Sequence, residues 1–187
     1  IVRIAWVFGQ NGKNFVKTML NVGKTHDTVR VVNDQIGTPT YTFDLARLLV
    51  DMIESDKYGY YHATNEGGYI SWYDFTCEIY RQAGYTAKVI PVTTEEYGLS
   101  KAKRPFNSRL DKSKLVANGF RPLPDWKDAL KRYLGNFVAS GSWLVDERPT
   151  MNDKGGLRPA TCGLRLLKLC YNKGNMIKET CMKGDKY

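Results

Sequence analysis

Short apolar runs rich in β-branched residues alternate along this chain with segments of helical periodicity. This alternation limits the possible folds more than any other feature of the sequence. The runs predict strands at 1–8, 28–33, 58–63 and 88–92. The periodic segments predict helices that begin near Phe15, Leu45, Ser71, Asp111 and Asp125. Strands and helices that alternate in this way favour an α/β architecture over a helical bundle or a β-sandwich.

The second predicted helix has the clearest amphipathic pattern. Apolar residues recur along it at the spacing of one helical face, with charged residues on the opposite side. The pattern predicts that this face is buried, and its members are Leu45, Leu48, Leu49, Met52 and Ile53.

Two stretches have the pattern of a helix-capping box, in which a hydroxyl accepts a backbone N–H and an acid three residues later accepts one in return. Ser71 and Asp74 form the first box, which predicts a third helix that ends at Gly84. Thr93 and Glu96 form the second and predict a short helical turn.

Composition is that of an ordinary soluble globular protein. The chain carries 28 Lys and Arg against 19 Asp and Glu, a formal net charge of +9. No stretch approaches the roughly 18 unbroken apolar residues that a membrane span needs, so we expect no membrane partner. A chain of 187 residues can bury a core without disulfide staples, which excludes a disulfide scaffold and a disordered chain.

The cysteines do not have the spacing of a metal site. Cys77 stands alone, and Cys162, Cys170 and Cys181 are separated by eight and eleven residues. Zinc sites use closely paired ligands, and no histidine follows His62. We therefore expect no metal and interpret the cysteines as free thiols of a cytoplasmic protein.

A basic cluster lies around the start of the helix predicted near Asp111, and its members are Lys101, Lys103, Arg104, Arg109, Lys112 and Lys114. Arg104 lies beside Pro105 and close to Asn107, a combination that suits a bidentate grip on a diphosphate. The lysines favour a solvated basic face. Because the cations of the chain are not interleaved with aromatic residues, we expect no specific nucleic-acid partner.

Two other segments suit a ligand, and each has a purely structural alternative. The loop 34–40 includes Gln35 and Thr40, which can hydrogen-bond a sugar or phosphate, and its threonines can equally cap the next helix. Trp6 lies near the end of the first predicted strand, where ligands of open α/β sheets bind, so its ring is a candidate for stacking on a substrate. The residues alone favour a core role for Trp6.

One apparent catalytic motif is interpreted as a chance match. Tyr97 and Lys101 have the Tyr-x-x-x-Lys spacing of short-chain dehydrogenases, in which the lysine activates the tyrosine for proton exchange with a carbonyl. Gly98 and the turn at Arg104 weaken the helix that such a pair requires. The chain also lacks Gly-x-Gly-x-x-Gly, so it has no dinucleotide pyrophosphate loop of its own.

Five segments, in order and spacing, resemble the carboxyl-terminal part of the dTDP-4-dehydrorhamnose reductases, which are extended short-chain dehydrogenases/reductases. The segments are RIAWVFG from Arg3, NFV from Asn14, VVNDQIGTPT from Val31, DLA from Asp44 and RPFNS from Arg104. The resemblance runs from Ile1 to about Leu134 and does not cover the rest of the chain.

This resemblance implies an α/β fold in which the last elements of a Rossmann-type domain join a smaller substrate-binding domain, the amino-terminal nucleotide-binding half being missing. Residues 1–136 would form these parts, and 137–187 a basic, cysteine-containing tail of unclear structure. The complete enzyme would use NADPH, or NADH, to transfer a hydride to C4 of a 4-keto dTDP-sugar while a tyrosine supplies the proton. It would form a homodimer and serve polysaccharide biosynthesis. The alternative is a non-catalytic binding homologue of the same family.

The resemblance also implies roles on the substrate side. Trp6 would stack on the hexose, and Gln35, Thr40, Arg104 and Asn107 would lie near the nucleotide diphosphate. No catalytic residue is expected in this chain, so the fragment alone should be inactive.

On the cofactor side, Arg3, Ile4 and Ala5 would line the nicotinamide end, while the missing half would bind most of the cofactor. Ile4 and Ala5 stand where the family has small hydroxyl residues, and Asn33 stands where an acid is common.

Overall fold

Strands and helices alternate through the computed structural model, which describes residues 1–98 and 104–139. The helices are α1 (Phe15–Thr25), α2 (Thr42–Ile53), α3 (Trp72–Ala83), α4 (Thr94–Tyr97), α5 (Ser113–Ala117) and α6 (Trp126–Ala139). The strands are β1 (Val2–Arg3), β2 (Val7–Phe8), β3 (Thr28–Val32), β4 (Ile36–Gly37), β5 (Thr40–Tyr41), β6 (Tyr61–His62), β7 (Asn65–Glu66), β8 (Ile70–Ser71), β9 (Lys88–Val92) and β10 (Leu123–Asp125). The predicted α/β architecture is confirmed.

The described residues all fall within the first of two units of the chain, Ile1–Asp146. The second unit, Glu147–Tyr187, lies outside them, as does the predicted tail from residue 140 onward. Of the basic cluster, Lys101 and Lys103 also lie outside the described residues. Within the described ranges, no helix has the length and apolar character to cross a membrane.

Parallel pairing dominates among the described strands. The parallel pairs are β1 with β6, β2 with β5, β3 with β9 and β7 with β10, whereas β4 and β8 are antiparallel. The pair of β3 and β9 is the most extended, with Thr28–Val32 in register with Lys88–Val92.

The prediction of one continuous strand over 1–8 was wrong. The segment contains β1 and β2, which pair with different partners, β6 and β5. Between them, Trp6 has a φ of 48°, in the left-handed region that non-glycine residues rarely adopt. This bend lets the two halves of the segment reach two separate strands.

Two buried clusters form the core. In the larger one, the Phe8 ring stacks on Tyr41 at 5.2 Å between centroids and meets the edge of Tyr133 at 5.3 Å. The smaller cluster lies between α2, β6 and α5, and its buried members are Leu45, Leu48, Tyr61, Ala63, Leu115, Phe120 and Leu123.

The face of α2 that was predicted to be buried is only partly buried. Leu45 and Leu48 are buried, but Leu49 is exposed and the Ile53 side chain is 82% exposed. The reason is that α2 has apolar residues on two faces, and the described residues cover only one of them.

Both predicted capping boxes are confirmed. The Ser71 hydroxyl accepts the Asp74 N–H at 3.1 Å, and the Asp74 carboxylate accepts the Ser71 N–H at 2.9 Å. The same reciprocal pair joins Thr93 to Glu96 at the start of α4. Helix α3 ends, as predicted, at Gly84, whose φ of 73° suits a residue without a Cβ.

Candidate functional site

A cavity of about 590 Å³ opens beyond the carboxyl ends of the parallel strands β3 and β9. Val32, at the end of β3, and Thr94, just after β9, line it together with residues from α1, α3 and the segment 104–108. Cavities of this volume accept small organic ligands, and this edge of a parallel sheet is where α/β domains bind them.

The apolar wall of the cavity is aromatic. Trp6 and Trp72 stack with 3.7 Å between ring centroids and 12° between planes, and Phe15 lies against Trp72 at 4.4 Å. Met19 completes this wall. Because Trp72 covers one face of the Trp6 ring, a ligand can stack only on the opposite face.

Two successive hydrogen bonds link the Trp6 ring through Ser108 to the backbone of Ile36. Its Nε1–H donates to Ser108 Oγ at 3.1 Å, and the Ser108 hydroxyl donates to the Ile36 carbonyl at 3.1 Å. Gly37 passes directly behind the ring, since a Cβ at this position would lie 2.7 Å from Trp6 Cε2 and 2.6 Å from Ser108 Oγ. The indole is therefore held by neighbours that are distant in sequence.

The polar wall joins the loop after β3 to α4. Asp34 accepts the Thr94 N–H at 2.9 Å and the Thr94 hydroxyl at 2.6 Å. The buried Gln35 side chain donates from Nε2 to Thr94 Oγ1 at 3.0 Å. Hydrogen bonds from the Thr93 N–H and hydroxyl lower the pKa of Glu96, so its carboxylate stays ionised and holds the start of α4.

Two guanidinium groups supply the charge of the cavity. Arg30 projects from β3, where it alternates with the buried Val29 and Val31, and its Nη2 donates to the Glu96 carbonyl at 3.0 Å. Arg104, in the segment 104–108, also lines the cavity and is exposed. None of the described lining residues is acidic, so the cavity favours an anionic group.

The structure brings Ala5, Trp6, Gln35 and Arg104 together in this cavity. Thr40 does not line it, because it is fully buried and donates from Oγ1 to the Ala5 carbonyl at 2.6 Å. These placements locate the predicted residues, and their roles toward a ligand stay predictions.

Asn107 is an exposed neighbour of the cavity rather than part of its lining. Its Oδ1 accepts Nε–H of Arg109 at 3.0 Å and the Arg109 backbone N–H at 3.1 Å. Its backbone forms a bridge to Ile36, which ties the segment 104–108 to β4.

Sequence reasoning missed Arg30 and Trp72 as parts of the site. Arg30 carried a usable signal, because an arginine between two buried valines of a strand must point away from the core. Trp72 carried none, since it belongs to the apolar spacing of α3 and only the packing turns its ring toward Trp6. Tyr97 also lines the cavity, whereas Lys101 lies outside the described residues.

The fold and the cavity define a class: an α/β domain with a cavity whose aromatic wall and two arginines suit a small anionic ligand containing a ring. The chain matches, over residues 1–139, the family described as the RmlD substrate binding domain, and it belongs to that family. The family resemblance found in the sequence is therefore confirmed.

Curated relatives cover similar stretches. The chain is 44% identical over 134 residues to the spore coat polysaccharide biosynthesis protein SpsK of Bacillus subtilis (strain 168), which is 72% of this chain and 46% of that protein. It is 44% identical over 145 residues to dTDP-4-dehydrorhamnose reductase of Aggregatibacter actinomycetemcomitans, which is 70% of this chain and 48% of that protein. The chain thus spans about half the length of the curated relatives it matches.

Solved structures have the same fold. A dTDP-4-dehydrorhamnose reductase ortholog from Clostridium acetobutylicum ATCC 824 has a TM-score of 0.69 at 47% identity, covering 73% of this chain and 48% of that chain. The reductase of Bacillus anthracis str. Ames, in complex with NADP, has a TM-score of 0.67 at 39% identity, covering 72% and 47%.

The three residues predicted at the nicotinamide end do not lie together. Of the three residues predicted at the nicotinamide end, Ala5 lines the cavity, but the Arg3 guanidinium lies over the Tyr60 ring at 5.3 Å from its centroid. Ile4 is exposed at the surface. The sequence also has no glycine-rich loop for a pyrophosphate.

Proposed function

We propose that this chain is the substrate-binding part of an NAD(P)H-dependent reductase that acts on a 4-keto sugar nucleotide, dTDP-4-dehydrorhamnose. The observation that carries the proposal is that Trp6 and Arg104, from distant segments of the chain, line one cavity. The relatives from Aggregatibacter actinomycetemcomitans and Bacillus anthracis, both dTDP-4-dehydrorhamnose reductases, support this substrate and this reaction.

In this proposal the ligand spans the two walls of the cavity. The hexose stacks on the free face of Trp6, and the diphosphate lies between Arg104 and Arg30, whose guanidinium groups can each bind two phosphate oxygens. Gln35 offers its amide to a sugar or phosphate oxygen. Thr40 and Asn107 act indirectly, because Thr40 holds the Ala5 carbonyl and Asn107 orients Arg109.

The chemical step needs groups that we assign to the half of the relatives that this chain does not cover. When bound, the cofactor supplies the hydride that reduces C4 of the sugar, and NADPH or NADH would be held mainly by that half. The tyrosine that gives the proton belongs there too. The residues of this chain bind the substrate and orient its ring, and the chain alone is inactive.

The remaining assignments follow the same proposal. Residues 1–136 form the last Rossmann-type elements and the sugar-nucleotide domain, and 137–187 form an additional tail. The complete enzyme binds a dTDP-sugar and assembles as a homodimer. A non-catalytic homologue would bind the same ligand and would differ only in the half that this chain does not cover.

Calorimetric titration of the full chain with dTDP tests the ligand assignment. Replacing Arg104 by alanine should weaken binding about 10- to 100-fold, because a charged hydrogen-bonding partner of the diphosphate contributes about 1.5–3 kcal/mol. Arg121→Ala is the matched control, since Arg121 is exposed and does not line the cavity. Absence of dTDP binding, or equal losses in the two variants, would contradict the proposal.

A further inference from the structure

The hydrogen bonds between the loop after β3 and the start of α4 have a fixed direction. A carboxylate can only accept hydrogen bonds. Asp34 therefore accepts both the N–H and the hydroxyl of Thr94, at 2.9 Å and 2.6 Å. Because this hydroxyl has a single proton and gives it to Asp34, Thr94 Oγ1 can only accept hydrogen bonds from its other neighbours.

This direction decides which way the Gln35 amide is turned. A glutamine amide has a donor end, the NH₂ group, and an acceptor end, the oxygen, and the two ends are nearly equal in size. Gln35 contacts Thr94 Oγ1 at 3.0 Å. Since that oxygen only accepts, the NH₂ end of Gln35 must face Thr94, and Gln35 Oε1 is turned away from it.

Gln35 Oε1 is the group of this network that is left for a ligand. The Gln35 residue is only 7% exposed, yet it lines the cavity. None of the described residues donates a hydrogen bond to Oε1, and the atom is not sealed inside the core. A nearly buried oxygen without a donor is unfavourable, so a ligand that supplies a donor gains affinity there.

The chemistry of this oxygen selects among the groups of a sugar nucleotide. The ionised oxygens of a diphosphate only accept hydrogen bonds, so they cannot pair with Gln35 Oε1. Hydroxyl groups of a sugar donate. Arg30 and Arg104, which also line the cavity, are donors and suit the diphosphate instead.

We propose that Gln35 Oε1 accepts a hydrogen bond from a sugar hydroxyl of the bound sugar nucleotide, and that Asp34 and Thr94 are positioning residues that keep this oxygen turned toward the ligand. This inference rests on the proposed function and gives Gln35 a specific part in it. The hydroxyl belongs to the hexose, which stacks on Trp6, or to the deoxyribose.

Calorimetric titration of the full chain with three ligands separates these two sources. The ligand dTDP-4-dehydrorhamnose has hydroxyls on both sugars, dTDP has one on the deoxyribose only, and 3′-deoxythymidine diphosphate has none on either sugar. Thr94→Val replaces the hydroxyl by a methyl group of similar size, so the Gln35 amide loses the partner that orients it.

The pattern of losses in Thr94→Val identifies the hydroxyl. A hydrogen bond from the hexose predicts an affinity about 2- to 10-fold lower for dTDP-4-dehydrorhamnose and unchanged for the other two ligands. A hydrogen bond from the deoxyribose predicts the same loss for dTDP-4-dehydrorhamnose and dTDP, with 3′-deoxythymidine diphosphate unaffected. Gln35→Met, which removes the acceptor itself, should reproduce the pattern of Thr94→Val.

Two controls distinguish a lost orientation from a loosened helix. Thr94→Ser keeps the hydroxyl and should bind all three ligands as the unchanged chain does. Thr93→Val removes the hydroxyl that accepts the Glu96 N–H at 3.1 Å, which loosens the start of α4 without touching Gln35. It should change the three affinities by one common factor. Equal losses for all three ligands in Thr94→Val, or a selective loss in Thr93→Val, would overturn the inference.

Nuclear magnetic resonance of the chain without ligand tests the orientation of the amide directly. We expect nuclear Overhauser contacts between the Nε2 protons of Gln35 and the Hβ proton of Thr94, because Nε2 faces that side chain. Thr94→Ser should retain these contacts, and Thr94→Val should lose them. Their absence in the unchanged chain would overturn the inference.

The outcomes separate this inference from the proposed function. If dTDP binds and depends on Arg104 but no variant loses one ligand selectively, the role of Gln35 is wrong and the proposed function stands. If neither dTDP nor dTDP-4-dehydrorhamnose binds, the proposed function fails and the hydroxyl assignment fails with it. The nuclear Overhauser contacts then still decide whether Asp34 and Thr94 orient the amide.

Discussion

Trp6 owes its orientation to side chains far away in sequence rather than to regular strand geometry. Its left-handed backbone costs a non-glycine residue about 1–3 kcal/mol. The stack on Trp72 and the hydrogen bond to Ser108 offset that cost and hold the ring in the lining of the cavity. At the scale of single residues, these contacts therefore position the Trp6 indole in the cavity.

Gly37→Ala tests this positioning. The new Cβ would lie within 3 Å of the Trp6 ring and of Ser108 Oγ, so the ring or the backbone must shift. We expect a loss of about 1–3 kcal/mol in the free energy of unfolding. Affinity for dTDP-4-dehydrorhamnose should fall about 10-fold, because a displaced Trp6 ring loses part of its stack on the hexose.

Urea denaturation and titration with dTDP-4-dehydrorhamnose measure the two effects of Gly37→Ala. Gly135→Ala is the control, because a Cβ at Gly135 meets nothing within 4 Å. In the helix interior that substitution should stabilise by about 0.5–1 kcal/mol. An unchanged affinity for dTDP-4-dehydrorhamnose in Gly37→Ala would show that Trp6 does not depend on this close approach.

At the scale of elements, a buried polar network joins α2 to α6 and β7. Asp44 accepts two parallel hydrogen bonds from the Arg132 guanidinium, both at 2.8 Å, and one from Asn65 Nδ2 at 2.8 Å. Asn65 Oδ1 in turn accepts the Tyr41 N–H at 2.7 Å. The hydrogen bond to Asp44 is the main cause of the raised pKa of Arg132, so the guanidinium stays charged.

Asp44→Ala should destabilise the protein by about 3–5 kcal/mol, because it leaves the partly buried Arg132 guanidinium and the Asn65 amide without their acceptor. Asp128→Ala removes the other carboxylate that contacts Arg132 and should cost less than about 1 kcal/mol. The side chains of Asp44 and Asp128 are 6% and 55% exposed, which explains the contrast. Equal midpoints of the two variants in urea denaturation would show that the network does not stabilise the packing of α2 on α6.

At the scale of the whole molecule, binding and chemistry belong to different parts of the proposed enzyme. The described residues bring two arginines and an aromatic wall into one cavity, yet they offer no dinucleotide loop.

The full chain mixed with NADPH and dTDP-4-dehydrorhamnose should therefore show no loss of absorbance at the nicotinamide band. The dTDP-4-dehydrorhamnose reductase of Escherichia coli (strain K12), a 37% identical relative, serves as the positive control. Clear turnover by this chain would contradict the proposal that the catalytic groups lie in the half that it does not cover. Tyr97 and Lys101 would then be the candidates for the catalytic pair.

Local chemistry made part of the fold predictable. The boxes at Ser71 and Thr93 are complete within four residues, so the helix starts they predicted are present in the structure. The helix predicted to begin near Asp125 is present as α6, and its Trp126 and Tyr133 side chains are buried. The same reasoning erred at Ile53, because a periodic pattern does not tell which apolar face the neighbouring elements cover.

The sequence by itself determined the α/β class, the starts of α3 and α4 and the family, because each depends on short-range spacing or on motifs read in order. Only the tertiary structure decided that Arg30 and Trp72 join Trp6 and Arg104 in one cavity, that Thr40 is buried outside its lining, and that Ile53 of α2 stays exposed. These are contacts between distant segments, and they are set by how parallel strands pair and helices pack, which no local pattern encodes.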